Sequence, residues 1–208
     1  MNIAVFASGR GSNFEAILNA IQQQRLAARV SLLVSNKAET GALALARTHG
    51  IPALHLSPQQ FPDEEAYVDR LLDVLSEHHA ELIALAGYLK KIPSRVVKRY
   101  RNRIVNVHPA LLPKYGGPGM YGIRVHEAVI AAGERVSGAT VHLVDEEYDR
   151  GPTLMQQTVE VAPHDTPETL AAKVLTIEHR LYPEALRAFA EGRVRINGRT
   201  AWIQPAPS

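Results

Sequence analysis

Cysteine is absent from the 208-residue sequence, so neither a disulfide framework nor a thiolate metal site can form. A chain without thiols fits a reducing compartment, and the cytoplasm is the expected location. Long apolar runs are missing too. None approaches the roughly 20 residues that a membrane-spanning helix requires, so no membrane partner is expected. The opening MNIAVFASGRG has no basic leader, and its short apolar run goes straight into a turn, which reads as a first strand rather than a signal peptide. An excess of one charge is also lacking. The 23 basic residues face 21 acidic ones, a net charge of +2, which argues against nucleic acid as a partner. Metal-binding spacing does not occur: there is no HExxH, and His126-Glu127 lacks the second histidine, so no metal is expected. A local basic site for a small anion stays open.

What is present is an ordinary globular composition, 46% hydrophobic and 21% charged, long enough for one α/β domain over residues 1–208. In the first half, short apolar runs alternate with amphipathic stretches. Residues 2–7, 30–34, 53–56, 82–86 and 104–107 read as strands. Residues 14–24, 41–49 and 64–79 read as helices, with Ile17, Leu18 and Ile21 on one face of the first and Tyr67, Leu71, Leu72 and Leu75 on one face of the third. Continuous apolar strands separated by helices predict a parallel sheet covered on both faces. Such a sheet takes ligands beyond the carboxyl ends of its strands. Residues 108–122, with three prolines and four glycines, read as loop, and 125–132 as a helix. Strands at 140–144 and 153–161 form an expected antiparallel extension. Thr166 caps a long helix with Pro167 at its first position and a bend near Pro183. Residues 193–203 read as a hairpin turning at Asn197-Gly198, and residues 205–208 as a loose tail.

Ser8-Gly9-Arg10-Gly11-Ser12-Asn13 joins the first strand to the first helix. Small residues there let backbone N–H groups approach an anion, and the helix N-terminus adds partial positive charge. A dinucleotide site needs a third glycine and an acidic residue after the second strand. Here Phe14 follows Asn13, and the strand ends in Ser35-Asn36-Lys37. A phosphate monoester and a tight turn without ligand stand level, with a dinucleotide third.

The segment Asn106-Val107-His108-Pro109-Ala110-Leu111-Leu112-Pro113 is the most informative. Alternation puts Val105 and Val107 on one face of a strand end, and Asn106 with His108 on the other. Pro109 and Pro113 stiffen the exit. An amide and an imidazole side by side suit acyl chemistry, since the amide stabilises an oxyanion and the imidazole moves a proton. His49, His78, His79 and His126 read as helix-surface or cap residues, and His55 is undecided. Asp149, before Gly151-Pro152, is either a turn cap or a partner for a catalytic histidine.

These motifs resemble the folate-dependent glycinamide ribonucleotide formyltransferase family. The resemblance rests on ASGRGSN at 7–13, SNK at 35–37, LAGYLK at 85–90, NVHPALLPKY at 106–115, TVHLVDEEYDRGP at 140–152 and EHRLYP at 178–183. It implies a Rossmann-like formyltransferase fold with a mostly parallel central sheet. It also implies a catalytic set of Asn106, His108 and Asp149. Gly11, Ser12, Asn13 and Glu178 would bind phosphoribosylglycinamide, while Leu89, Lys90, Lys91, Ile92 and Asn106 would bind folate. The cosubstrate would be 10-formyltetrahydrofolate, and the acting form a monomer or homodimer. The chain departs from many members at Lys90-Lys91, Ala110, Glu64 and Arg150, and in a longer 116–124 loop.

On this reading the amine attacks the formyl carbon while Asn106 and protonated His108 stabilise the oxyanion. Asp149 is expected to raise the His108 pKa above its free value of roughly 6.5. Related methionyl-tRNA formyltransferases carry an extra C-terminal domain that 208 residues are not expected to hold. Deformylases of formyltetrahydrofolate carry an N-terminal regulatory domain ahead of the first catalytic strand. A non-catalytic nucleotide-binding module would need the glycine loop alone.

Overall fold

A computed structural model describes residues 1–206; Pro207 and Ser208, the end of the expected loose tail, lie outside the described residues. The fold is a seven-stranded, mostly parallel sheet with helices, plus a separate two-stranded antiparallel sheet. The chain divides into two compact units, residues 1–105 and 106–208.

The first unit follows a strand-helix alternation. It runs β1 (Asn2–Phe6), α1 (Ser12–Gln22), β2 (Arg29–Ser35), α2 (Gly41–Thr48), β3 (Ala53–His55), α3 (Glu64–Glu77), β4 (Leu82–Leu85) and α4 (Ser94–Arg99). These strands lie in the order β3-β2-β1-β4, all parallel. Ile3, Ala4, Val5 and Phe6 of β1 are completely buried, as an apolar strand between two neighbours must be. Phe14, Ile17 and Leu18 bring the apolar face of α1 into the core, and Tyr67, Val68, Leu71, Val74 and Leu75 do so for α3. Leu72, expected on that inner face, is half-buried. α1 begins at Ser12, two residues before the expected start, so Ser12 and Asn13 belong to its first turn. The six-residue α4 and a single 3-10 turn at Pro58–Gln60 had no periodic signal long enough to predict them.

β5 (Ile104–His108) carries the chain from the first unit into the second. There follow α5 (Ile123–Ala131), β6 (Val136–Leu143), β7 (Thr153–Glu160), α6 (Pro167–Ala190), β8 (Val194–Asn197) and β9 (Thr200–Ile203). β6 and β7 pair antiparallel, as expected. β6 starts four residues earlier than its alternation suggested. α6 opens on Thr166, whose hydroxyl accepts the Thr169 N–H at 3.3 Å, and the helix continues through Pro183. The hairpin β8–β9 turns on Gly198-Arg199, one residue later than read, because Asn197 is still paired with Thr200. Trp202, the one tryptophan in the sequence, lies on β9 and is 45% exposed. Among the described residues no helix is long and apolar enough to cross a membrane.

Candidate active site

In the second unit, β5 ends on His108, and alternation places Asn106 and His108 on the same face. The imidazole is buried. Its Nε2–H donates to the Tyr115 carbonyl at 2.8 Å, so Nδ1 faces the Asp149 carboxylate, 3.7 Å from Oδ2. Asp149 sits in the left-handed region at φ +53°, which a short polar side chain tolerates. The Gly117 N–H donates to its Oδ2 at 2.9 Å. Two residues on, Gly151 closes the turn against β6. A Cβ there would lie 1.9 Å from the Leu143 carbonyl oxygen, so only glycine fits.

A second histidine completes the cluster. His142 Nδ1–H donates to the Leu143 carbonyl at 2.8 Å. That leaves Nε2 to accept from the Asn106 amide nitrogen at 3.1 Å, with Asp149 Oδ1 at 3.5 Å. Sequence reasoning missed His142, although the signal existed: it alternates with Thr140 and Val144 on one face of a strand already recognised. The hydroxyl of Thr140, also fully buried, donates to the Ala110 carbonyl at 2.6 Å and accepts the Leu112 N–H at 3.1 Å. Gln156 of β7 donates to both the Thr140 hydroxyl and the Leu112 carbonyl at 2.9 Å. The turn after His108 is therefore fixed by side chains from β6 and β7.

The electrostatics correct one expectation. Burial pushes the His108 pKa down, and the Asp149 charge and the Tyr115 carbonyl only partly offset it, so the net shift is below the ordinary value, not above it. For Asp149, burial acts upward, but the neighbouring His142 and His108 imidazoles and the Gly117 N–H outweigh it and lower its pKa. His126 is also corrected. It is buried on α5, not on the surface, because Val125, His126 and Val129 form the inward face. Its Nδ1 has no hydrogen-bond partner among the described residues. Burial first, and then the nearby His108, bring its pKa down to about 4.

Glu178, read as a ribonucleotide contact, is a buried carboxylate on α6 of this second unit. The other expected contacts lie in the first unit. Gly11 caps α1 in the left-handed region at φ +91°, and a Cβ there would stand 2.9 Å from Ala42 Cα. With no side chain, it brings no acceptor to the first turn that Ser12 and Asn13 open, the arrangement by which helix N-termini hold anions. In the 89–92 segment, Leu89, Lys90 and Lys91 are exposed and Ile92 is buried. Among the described residues no cluster of histidine and acidic side chains has metal-binding geometry.

The sequence profile described as formyl transferase matches residues 1–186. The chain is 45% identical over 194 residues to the chloroplastic phosphoribosylglycinamide formyltransferase of Arabidopsis thaliana, covering 93% of this chain and 66% of that one. It thus spans just under two thirds of the length of that plant relative. It is 37% identical to phosphoribosylglycinamide formyltransferase of Bacillus subtilis, with 88% of this chain and 92% of the relative covered. The crystal structure of glycinamide ribonucleotide transformylase 1 from Symbiobacterium toebii superposes with a TM-score of 0.92 at 37% identity, covering 99% of this chain and 94% of that one. With a profile match over most of its length and relatives of this identity and coverage, the chain belongs to the formyl transferase family.

Proposed function

We propose that this chain transfers the formyl group of 10-formyltetrahydrofolate to the amine of 5′-phosphoribosylglycinamide, a step of purine biosynthesis. The observation that carries the proposal is the buried cluster of Asn106, His108, Asp149 and His142 at the end of β5. The amine nitrogen attacks the formyl carbon, and the oxygen takes up negative charge. Asn106 has two amide protons. One goes to His142 Nε2, and the other is presented to the oxyanion. The bond from the formyl carbon to the folate nitrogen then breaks, and the proton lost by the amine is delivered to that nitrogen. His108, neutral at rest because it is buried, carries that proton: it takes it from the amine on Nδ1, Asp149 stabilises the imidazolium, and the proton then passes on to the folate nitrogen. For His108 Nε2–H to reach the formyl oxygen, the Tyr115 carbonyl must give up its hydrogen bond, so substrate binding reshapes the 115–117 turn.

The ribonucleotide phosphate docks on Gly11, Ser12 and Asn13, with Glu178 binding the same substrate. Residues Leu89, Lys90, Lys91 and Ile92 line the folate side, together with Asn106. The reaction takes place in the cytoplasm, needs no metal, and is carried out by a monomer or a homodimer. The test mixes the protein with glycinamide ribonucleotide and 10-formylated folate. Deformylated folate should accumulate only when the ribonucleotide is present. Product without the ribonucleotide identifies a deformylase, and no product identifies a binding module.

A further inference from the structure

In the first unit, the carboxyl ends of β1, β2 and β4 meet at one buried hydroxyl. Ser8, 2% exposed, donates its hydroxyl proton to Asn36 Oδ1 at 2.5 Å and accepts the Leu89 N–H at 2.9 Å. Its backbone N–H donates to the Gly87 carbonyl at 3.1 Å. Asn36 is itself held in a shaped turn. The buried Ser35 hydroxyl donates to the Lys37 carbonyl at 3.0 Å and accepts the Lys37 N–H at 3.1 Å. This arrangement gives the Ser-Asn-Lys motif after β2 a role: it supplies the acceptor that Ser8 needs.

The protonation pattern is determined by elimination. A backbone N–H can only donate, so the Ser8 hydroxyl accepts from Leu89 and must spend its single proton on Asn36. That turns the Asn36 carbonyl oxygen toward Ser8. Ser8 directly precedes the glycine loop at 9–13, and Leu89 opens the 89–92 segment. The hydroxyl therefore belongs to neither segment, yet sets the geometry of both.

We propose that Ser8 is a positioning residue that holds the phosphate-gripping loop and the folate-facing segment in one fixed relation, so that ligand binding at either favours binding at the other. The proposal rests on the assignment of those two segments under the proposed function. Removing the hydroxyl leaves two part-buried groups, the Leu89 N–H and the Asn36 carbonyl oxygen, without the partner that joins them, and both segments relax. The substitution leaves Asn106, His108 and Asp149 unchanged, so the chemical step is spared.

The experiment compares wild type, Ser8→Ala, Asn36→Ala and the double variant. In Ser8→Ala the KM for formyl donor and for ribonucleotide should each rise about five- to tenfold, with kcat within about twofold. Asn36→Ala should act in the same direction, and the double variant should add little, because both changes cut one chain of bonds. Ribonucleotide affinity, measured with and without a non-transferable folate analogue, should show a linkage ratio above one in wild type that falls toward one in Ser8→Ala. A merely structural serine would lower the melting temperature and leave both KM values and the linkage ratio unchanged, which overturns the proposal. Fully additive effects of the two substitutions overturn it as well. Hydrogen exchange at the Leu89 amide reads the bridge without any ligand: slow in wild type, fast in Ser8→Ala. Equal exchange rates sink the bridge even if formyl transfer is active. A wild type that transfers no formyl group removes the functional assignment, and the proposal falls with it.

Discussion

At the residue scale, His108 is a buried imidazole with an acceptor on each side, the Tyr115 carbonyl at Nε2 and Asp149 at Nδ1. That geometry suits the cation, while burial favours the neutral ring, and burial prevails at rest. Asn106→Ala and His108→Ala should each cost on the order of a hundredfold in kcat, as the loss of an oxyanion donor typically does. Steady-state kinetics on folded variants checks this, and near-normal turnover in both would defeat the assignment. His126 gives a separate test through stability. Its folded pKa, at about 4, lies below the ordinary value of roughly 6.5, so the unfolded chain binds the proton more readily. The stabilising balance is intact above pH 6.5 and declines as the pH falls toward 4. At pH 5 this one group should cost roughly 2 kcal/mol. Urea unfolding at pH 7.5 and pH 5 should show a smaller acid loss in His126→Gln than in wild type; equal losses would contradict it. Asn106 and His108 were legible in the sequence, because strand alternation alone pairs them. Asp149 was legible only through the motif resemblance, since Asp145, Glu146 and Glu147 compete with it. The direction of the His108 shift was not legible, because desolvation is a property of the packed site and not of the residues that carry the charge.

At the level of elements, the strands of the first unit could be read because an apolar run flanked by amphipathic helices admits few alternatives. α4 could not, since six residues make under two turns of periodic pattern. The depth of β6 was underread for a related reason. Ser137 and Gly138 do not look apolar, yet both are buried. His142 was missed within a correctly read strand, because alternation gives the face but not what lies opposite. The polar clamp from β6 and β7 onto the turn after His108 belongs to this scale. Thr140→Val keeps the shape but leaves the Leu112 N–H and the Ala110 carbonyl without their buried partner. A loss of about 1–3 kcal/mol in unfolding free energy is expected. Turnover should also fall, because the exit from His108 loosens; unchanged stability and rate together would show that the clamp does not matter.

For the molecule as a whole, the proposed reaction makes stability depend on two ligands. Each ligand that binds only the folded chain, held at 100 times its dissociation constant, adds about 2.7 kcal/mol. Thermal unfolding should therefore shift upward with glycinamide ribonucleotide, shift with a folate analogue, and shift furthest with both. A melting temperature indifferent to the ribonucleotide would count against the phosphate assignment. Prior treatment with a chelator should leave turnover unchanged, since no metal enters the proposed chemistry. The half-exposed Trp202 on β9 has a practical consequence. With one indole and no thiol in the sequence, the chain carries a single tryptophan donor, excitable apart from its seven tyrosines, and no site for stray maleimide coupling. A cysteine introduced into the 116–124 loop would be the sole labelling position. Energy transfer from Trp202 to a dye placed there would report, within the second unit, whether substrate rearranges the turn that holds His108.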